Sequence, residues 1–310
     1  MPRPMLIDGL HGLGDNIHQR AIVRYFLSQG WDIWLKTPWP CLYHDLVGQR
    51  LRLVDPQSRL RTQAKNASRE SERFTRMKPP SGTRIVRVMY SPEGVRQSGS
   101  VLAAMALHCG IIGAPLDFRM PVPAAWREKA QRLVGTPGDR PLLIVRPLLN
   151  RTEWGGCAAR NPEHSAYVEL LKAICGQFRV VSIADLAPGR EWIVGLPYPA
   201  DVTLHNGELD TESLIGLVAS ATLVFCSPGF AVPLAQAVGT PVICVFGGYE
   251  NSRSFSAAKL TPYLGIDPVK PCECFRHNHG CDKHIDLAYA LHRVKDFADA
   301  AIARVATATT

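Results

Sequence analysis

Gly9-Leu10-His11-Gly12-Leu13-Gly14-Asp15-Asn16 is the stretch whose reading decides the fold. A short apolar run of strand length, residues 5–7, precedes it, and Ile17, Ala21, Ile22, Tyr25 and Phe26 follow at helical spacing. The stretch is therefore a glycine-rich turn joining a strand to a helix, with Asp15-Asn16 where a helix N-cap belongs. Glycine tolerates positive φ and lets another group approach the backbone. The N–H groups of a helix start favour negative charge. Asp15 is thus either a cap, the commoner role, or a carboxylate aimed at a ligand. Residues 31–35 read as a second strand, so the opening is a βαβ unit.

That second strand ends in Lys36, where a dinucleotide-binding fold would place Asp or Glu for the ribose. The glycine spacing is also G-x-x-G-x-G rather than the usual fingerprint, which disfavours NAD. Lys36 leaves an NADP-dependent oxidoreductase as a distant alternative. No G-x-x-x-x-G-K-[ST] occurs, which disfavours a P-loop NTPase.

Further strands are expected at 51–54 and 85–89, a polar loop at 91–98, and helices at 99–109 and 124–134. Gly135-Thr136-Pro137-Gly138-Asp139 reads as an interdomain linker. Beyond it the α/β alternation restarts with a strand at 142–145 ending in Arg146-Pro147. A helix beginning at Pro162, a favoured first position, runs to Cys175. Strands follow at 178–183, 223–226 and 242–246, with a helix capped by Asp210-Thr211 and another after Ser227-Pro228-Gly229. The expected fold class is α/β with two Rossmann-like domains facing across a cleft: residues 1–137, residues 138–290, and a C-terminal helix in 291–310. Ligands of such sheets lie at the carboxyl ends of strands. Those ends carry Asp15, Arg146, Ser227, Gly229, Gly247, Gly248 and Tyr249.

Composition bounds the class further. Hydrophobic residues make up 46% of 310, and no apolar run reaches the roughly 20 residues of a membrane span. The segment Met1-Pro2-Arg3-Pro4 lacks a signal-peptide core. Nine cysteines, an odd number mostly in apolar contexts, suit thiols in a reducing compartment, so a cytoplasmic location is expected. Eleven Lys or Arg against three acids between Arg50 and Arg87 give a local net of +8, equal to the net charge of the whole chain. Such a stretch suits a polyanionic partner, or forms a solvated surface.

Gly12-Leu13-Gly14-Asp15 with its helix resembles the N-terminal motif of glycosyltransferase family 9, the ADP-heptose:lipopolysaccharide heptosyltransferases and relatives. Residues 214–247, with Ser-Pro-Gly and Gly-Thr-Pro-Val-Ile-Cys-Val-Phe-Gly, resemble that family's donor-binding core. Residues 37–40 and Arg160-Asn161-Pro162 are similar to segments of its divergent members. The resemblance implies a GT-B fold, with the acceptor on the N-terminal domain and a nucleoside-diphosphate sugar on the C-terminal one. The C-terminal helix would return to pack on the N-terminal domain. It implies inverting transfer needing no metal or other cofactor for chemistry, with Asp15 as general base. Gly12, Gly14, His11, Asn16 and His18 would lie on the acceptor side. The helix start at Gly229-Phe230, with Arg146 or Arg151, would hold the diphosphate. The family commonly has Asp-Thr-Gly and then a His at this donor loop; here Ser227-Pro228-Gly229 and Val232-Pro233 stand there instead.

Two acceptors fit a polyanion: a phosphorylated glycolipid of lipopolysaccharide type, or DNA carrying hydroxymethylated bases, the latter needing access to the base edge. A non-catalytic nucleotide or nucleic-acid binding protein of the same fold is the reading from another class. The densest polar cluster is residues 272–284. There Cys272, Cys274, Cys281 and His284 form C-x-C followed by C-x-x-H, a candidate structural zinc set. Free thiols or a local disulfide are the alternative.

Overall fold

The computed structural model describes residues 3–308 except 49, 57, 59, 71, 136–137, 156–158, 257–259 and 278. These residues form two compact units, Met1–Pro121 and Val122–Thr310. The division precedes the expected boundary at 137, because the helix at 124–134 belongs with the second unit. Positions 136–137 of the expected linker lie outside the described residues.

In the first unit, β1 (Pro4–Asp8) leads to α1 (Leu13–Ser28), β2 (Asp32–Lys36), β3 (Leu51–Val54), α2 (Arg61–Glu70), β4 (Arg84–Arg87), α3 (Pro92–Ser98) and α4 (Val101–His108). The strands pair in parallel in the order β3-β2-β1-β4. Met5 and Ile7 of β1, Ile33 and Leu35 of β2, and Ile17 and Ile22 of α1 are all fully buried, the period-2 and helical patterns each supplying one apolar face. The expected βαβ opening is present. Gly30 ends the α1 connection at φ +86°, a left-handed conformation that favours glycine. Lys36 pairs with Asp8 of the neighbouring strand at 3.4 Å, so its charge is engaged within the sheet. Residues 91–98 are α3 rather than loop: Ser91 caps it by accepting the Gly94 N–H at 3.0 Å, and Pro92 takes the first helical position.

The second unit runs α5 (Ala124–Val134), β5 (Leu142–Val145), β6 (Leu149–Arg151), α6 (His164–Cys175), β7 (Arg179–Ile183), β8 (Glu191–Ile193), β9 (Val202–Leu204), α7 (Thr211–Ser220), β10 (Leu223–Cys226), α8 (Ala231–Val238), β11 (Val242–Val245), β12 (Tyr263–Ile266) and α9 (Leu287–Ala308). Six strands form a parallel sheet in the order β12-β11-β10-β5-β7-β9, and β6 pairs with β8 in a separate antiparallel ribbon. β10 and β11 are almost wholly buried, so they read in sequence as continuous apolar runs, as covered parallel strands do. Pro162 lies ahead of α6, whose N-cap is Glu163. Asp210 caps α7 as expected, in a reciprocal capping box with Ser213.

Within the second unit, α9 packs on the core. Ala290, Val294, Ala298 and Ala301 of α9 lie in one core cluster with Leu170, Ile174 and Leu264, so the helix completes the second unit. Their spacing of four, four and three gives α9 a single apolar stripe that α6 covers. Among the described residues no helix is long and apolar enough to cross a membrane.

α7 meets α5 at Gly216, where a Cβ would stand 2.0 Å from the Trp126 carbonyl oxygen. Gly216→Ala is expected to push the helices apart and cost about 1–3 kcal/mol, read as a lower denaturation midpoint.

Candidate functional site

Each sheet has one place where the chain leaves a strand and later resumes on that strand's other side, and ligands of open α/β sheets bind beyond the carboxyl ends at such switch points. In the first unit the place lies between β1 and β4. In the second it lies between β5 and β10. Asp15 follows β1, Arg146 follows β5 and Gly229 follows β10.

The turn after β1 is held by polar side chains. Asn16 is fully buried; its amide donates to the carbonyls of Leu10 (2.7 Å) and Gly12 (2.9 Å) and accepts from Thr37 Oγ1 (2.7 Å). Tyr43 donates to the Asn16 carbonyl at 2.9 Å and accepts from Gln19 Nε2 at 3.0 Å. Trp39 Nε1 and Gln63 Nε2 donate to the His11 carbonyl at 2.8 and 2.9 Å. Gln63, Asn66 and Glu70 form a buried stripe on α2, the last two bonding the Pro38 carbonyl (2.7 Å) and the Cys41 N–H (3.1 Å).

The glycines of the turn have no positive φ. Their closeness serves the protein's own side chains: a Cβ on Gly9 would stand 2.0 Å from Gln19 Oε1, and one on Gly12 would stand 2.6 Å from Asp15 Oδ2.

Gly12, not Asp15 or Asn16, is the N-cap of α1. Asp15 is the third helical residue, half-buried, where a carboxylate complements the helix dipole. Tyr90, from the segment after β4, donates to Asp15 Oδ1 at 3.4 Å. His11, Gly12 and Gly14 are half-buried around the turn. Asn16 and His18, expected on the acceptor side, are interior residues. His18 is 3% exposed with its ring edge-on to Phe118, and burial pushes its imidazole down to about 4.

At the second switch point Arg146 is 5% exposed. Its N–H continues the ladder to the Phe225 carbonyl (3.0 Å), and its carbonyl accepts from Tyr167 Oη (2.8 Å). The guanidinium lies 5.0 Å over the Phe230 ring. A Cβ on Gly229 would stand 3.5 Å from Arg146 Nη1. Among the described residues that guanidinium has no hydrogen bond or ion pair. Desolvation, with the charge of Arg151 nearby, pushes it down to about 10. The start of α8, N-capped by Phe230 without a side-chain bond, lies beside it. A nearly buried cation at a helix N-terminus and a glycine turn is an arrangement that takes an anion.

Other expected donor residues are engaged elsewhere. Arg151 is ion-paired to Glu191 across the β6–β8 ladder at 2.7 Å. Ser227 is buried at 2%. Gly247 carries the backbone of the 159–161 segment, since a Cβ there would stand 2.2 Å from the Asn161 carbonyl oxygen. Gly248 and Tyr249 are covered by the cysteine-bearing segment, whose Glu273 and Phe275 N–H groups bond their carbonyls at 2.9 and 3.1 Å. Tyr249 also meets the rings of Phe275 and His277.

The candidate metal-ligating set differs by one residue from the expected one. Cys272, Cys274, His279 and Cys281 bring their ligand atoms within 4.8 Å of one another. His284 is displaced because its backbone pairs with Val269 and with the Asp282 carboxylate. Separations of 3.5 Å for Cys274–Cys281, Cys272–His279 and His279–Cys281 suit a tetrahedral ion, whose ligand atoms at about 2.0–2.3 Å lie roughly 3.3–3.8 Å apart. The Arg276 N–H donates to Cys274 Sγ at 3.4 Å, the kind of outer bond that steadies a thiolate ligand. Asn278, in the same segment, lies outside the described residues. Sequence reading missed Tyr90, which falls between the expected strand at 85–89 and the expected loop at 91–98, and the α2 stripe, whose only signal is the spacing of Gln63, Asn66 and Glu70.

The chain thus comprises two parallel α/β units, each with a polar group at the switch point of its sheet. No family model matches the sequence, and no curated protein is matched by it. Among solved structures, the chain is similar to the iron-containing dodecameric glycosyltransferase TibC of enterotoxigenic E. coli H10407, at TM-score 0.59 and 16% identity over 100% of this chain and 77% of that one. It is similar to E. coli ADP-heptose lipopolysaccharide heptosyltransferase II at TM-score 0.59 and 13% identity, over 95% and 98%. It is also similar to a family 9 glycosyl transferase from Veillonella parvula DSM 2008 at TM-score 0.54 and 10% identity, over 85% of each chain. At such identities the likeness establishes the fold, and it agrees with the family 9 resemblance of the sequence motifs.

His18 gives a pH dependence. Its folded value near 4 lies below the ordinary 6.5, so the unfolded chain binds the extra proton between these values. Its stabilisation is complete above pH 6.5 and is lost as pH falls toward 4, by about 3 kcal/mol in all. Urea midpoints measured across this window are expected to fall less steeply for His18→Gln than for wild type.

Proposed function

We propose that this chain is an inverting glycosyltransferase that moves a sugar from a nucleoside diphosphate to a hydroxyl of a phosphorylated, polyanionic acceptor such as a glycolipid. The observation that carries the reading is Arg146, a desolvated guanidinium stacked on Phe230 with no hydrogen-bond or ion-pair partner among the described residues, beside Gly229 and the start of α8. An unpaired buried cation costs stability, and a diphosphate would offset that cost. Backbone N–H groups at the helix start would share the charge, a contact independent of the missing Asp and His side chains.

Asp15 is the general base. Its carboxylate takes the acceptor proton as the hydroxyl oxygen bonds to the anomeric carbon, while the bond from that carbon to the diphosphate oxygen breaks. The nucleoside diphosphate leaves with the electron pair, and a single displacement inverts the anomeric centre. The acceptor class follows from the basic stretch between Arg50 and Arg87 in the unit that holds Asp15. ADP is the first nucleotide to test, because heptosyltransferase II, of the same fold, is named for ADP-heptose. The chemistry needs no metal. A cytoplasmic location suits the free thiols. The Cys272, Cys274, His279 and Cys281 set holds a structural ion, zinc by its donor set; iron is the alternative, TibC being described as iron-containing.

Thermal shift with ADP, UDP, GDP, CMP and NADP tests the donor reading. Selective stabilisation by ADP is expected, about 2.7 kcal/mol at a hundredfold excess over Kd. Arg146→Ala should weaken ADP about 10- to 100-fold while leaving the ligand-free protein at least as stable as wild type. Stabilisation by NADP alone, or ADP binding unchanged in Arg146→Ala, sinks the reading.

Metal content by plasma mass spectrometry tests the second site. One ion per chain is expected for wild type and His284→Ala, and a loss of most of it for His279→Ala. The reverse pattern would restore His284 as the ligand.

A further inference from the structure

We propose that Tyr90 is a positioning residue for Asp15, its phenol fixing one carboxylate oxygen and with it the orientation the carboxylate presents to the acceptor hydroxyl; this rests on Asp15 being the base. The two residues are 75 apart in sequence and meet because β4 lies beside β1. Val88, 2% exposed, prolongs that pairing by donating its N–H to the Asp8 carbonyl at 3.1 Å. Ser91 then caps α3, and Pro92 fixes its first turn. Tyr90 is therefore held between a strand ladder and a capped helix, on the far side of the switch point from Asp15.

Both carboxylate oxygens have an assigned neighbour. Oδ1 accepts from the Tyr90 phenol at 3.4 Å, and Oδ2 lies against Gly12, where no side chain is present to displace it. The phenol thus restrains one oxygen, and the other occupies the space that a side chain at residue 12 would fill. A neutral donor to the ionised form favours that form. The phenol donates throughout and gives up no proton, so the step remains a transfer from acceptor oxygen to Asp15. The 3.4 Å separation is longer than the 2.7–2.8 Å of a settled O–H···O bond, and catalytic bonds of ligand-free proteins commonly tighten when substrate arrives.

The test compares wild type, Tyr90→Phe and Asp15→Asn. Carbon-13 NMR of the aspartate carboxyls, with the Asp15 signal assigned by its loss in Asp15→Asn, follows its titration without any substrate. Tyr90→Phe is expected to raise the midpoint by roughly half to one pH unit. Release of ADP from ADP-heptose, with water as acceptor, is followed from pH 5 to 9. The variant should turn over about three- to tenfold more slowly with KM within twofold, and its acid limb should move up with the titration. Superimposable Asp15 titrations in wild type and Tyr90→Phe would overturn the role of Tyr90. Full ADP release by Asp15→Asn would instead overturn Asp15 as the base, a distinct result. The NMR arm decides even where water is too poor an acceptor for turnover.

Discussion

One buried amide sets the geometry of the first unit. Asn16 satisfies two carbonyls of the glycine turn and receives the Thr37 hydroxyl from the end of the next strand. Buried carbonyls without partners are costly, so the turn has one favourable path and the amide defines it. Arg20, one helical turn on and fully buried, extends the same device: it pairs with both oxygens of Asp45 at 2.9 Å and bonds the carbonyls of Leu42, Phe118 and Arg119. The face of α1 that follows the turn is therefore as much a polar clamp as an apolar surface. The position of Asp15 is a consequence, since it follows two residues after Leu13 on a helix whose start cannot slide.

The second unit follows the opposite logic at its switch point. Its strands are apolar and buried, its loops are tied by ion pairs such as Arg160–Glu250 at 2.6 Å, and yet Arg146 stands without one. Burial that pushes a guanidinium down to about 10 is unfavourable for folding taken alone. Unfavourable electrostatics confined to a strand end beside a helix start is what an anion site requires, because pairing within the protein would leave nothing for the ligand. Arg151 shows the contrast. It is close enough to affect Arg146, but Glu191 neutralises it across a two-stranded ribbon.

The cysteine-bearing segment buttresses the exit of β11. Glu273 and Phe275 adopt φ of 51° and 52°, uncommon for side-chain-bearing residues, and these two carry the N–H groups that bond Gly248 and Tyr249. Cys274 lies between them, so the turn that faces the thiol inward is also the turn that covers the strand end. Arg160 reaches the same place from the other side, over the Tyr249 ring and onto buried Glu250. A metal at the thiols would thus hold a lid of backbone in place without touching the sheet.

The sequence by itself determined the strand–turn–helix at residues 5–28, the restart of α/β alternation near Leu142, the Asp210 cap and the placement of Asp15 and Arg146 at strand ends. Each is a local matter of period, glycine or cap, and local terms act within a few residues. Short strands such as β6, β8 and β9 escaped it, because three residues carry too little periodicity to register. The α2 stripe escaped because its buried residues are polar and acquire their meaning only from the carbonyls they meet. Tertiary structure alone decided that His279 and not His284 joins the thiols, that His18 is interior, that α9 completes the second unit, and that Tyr90 reaches Asp15. All four depend on which distant segments share a sheet edge or a core, and that is set by the pairing order of strands, which no single stretch of sequence contains.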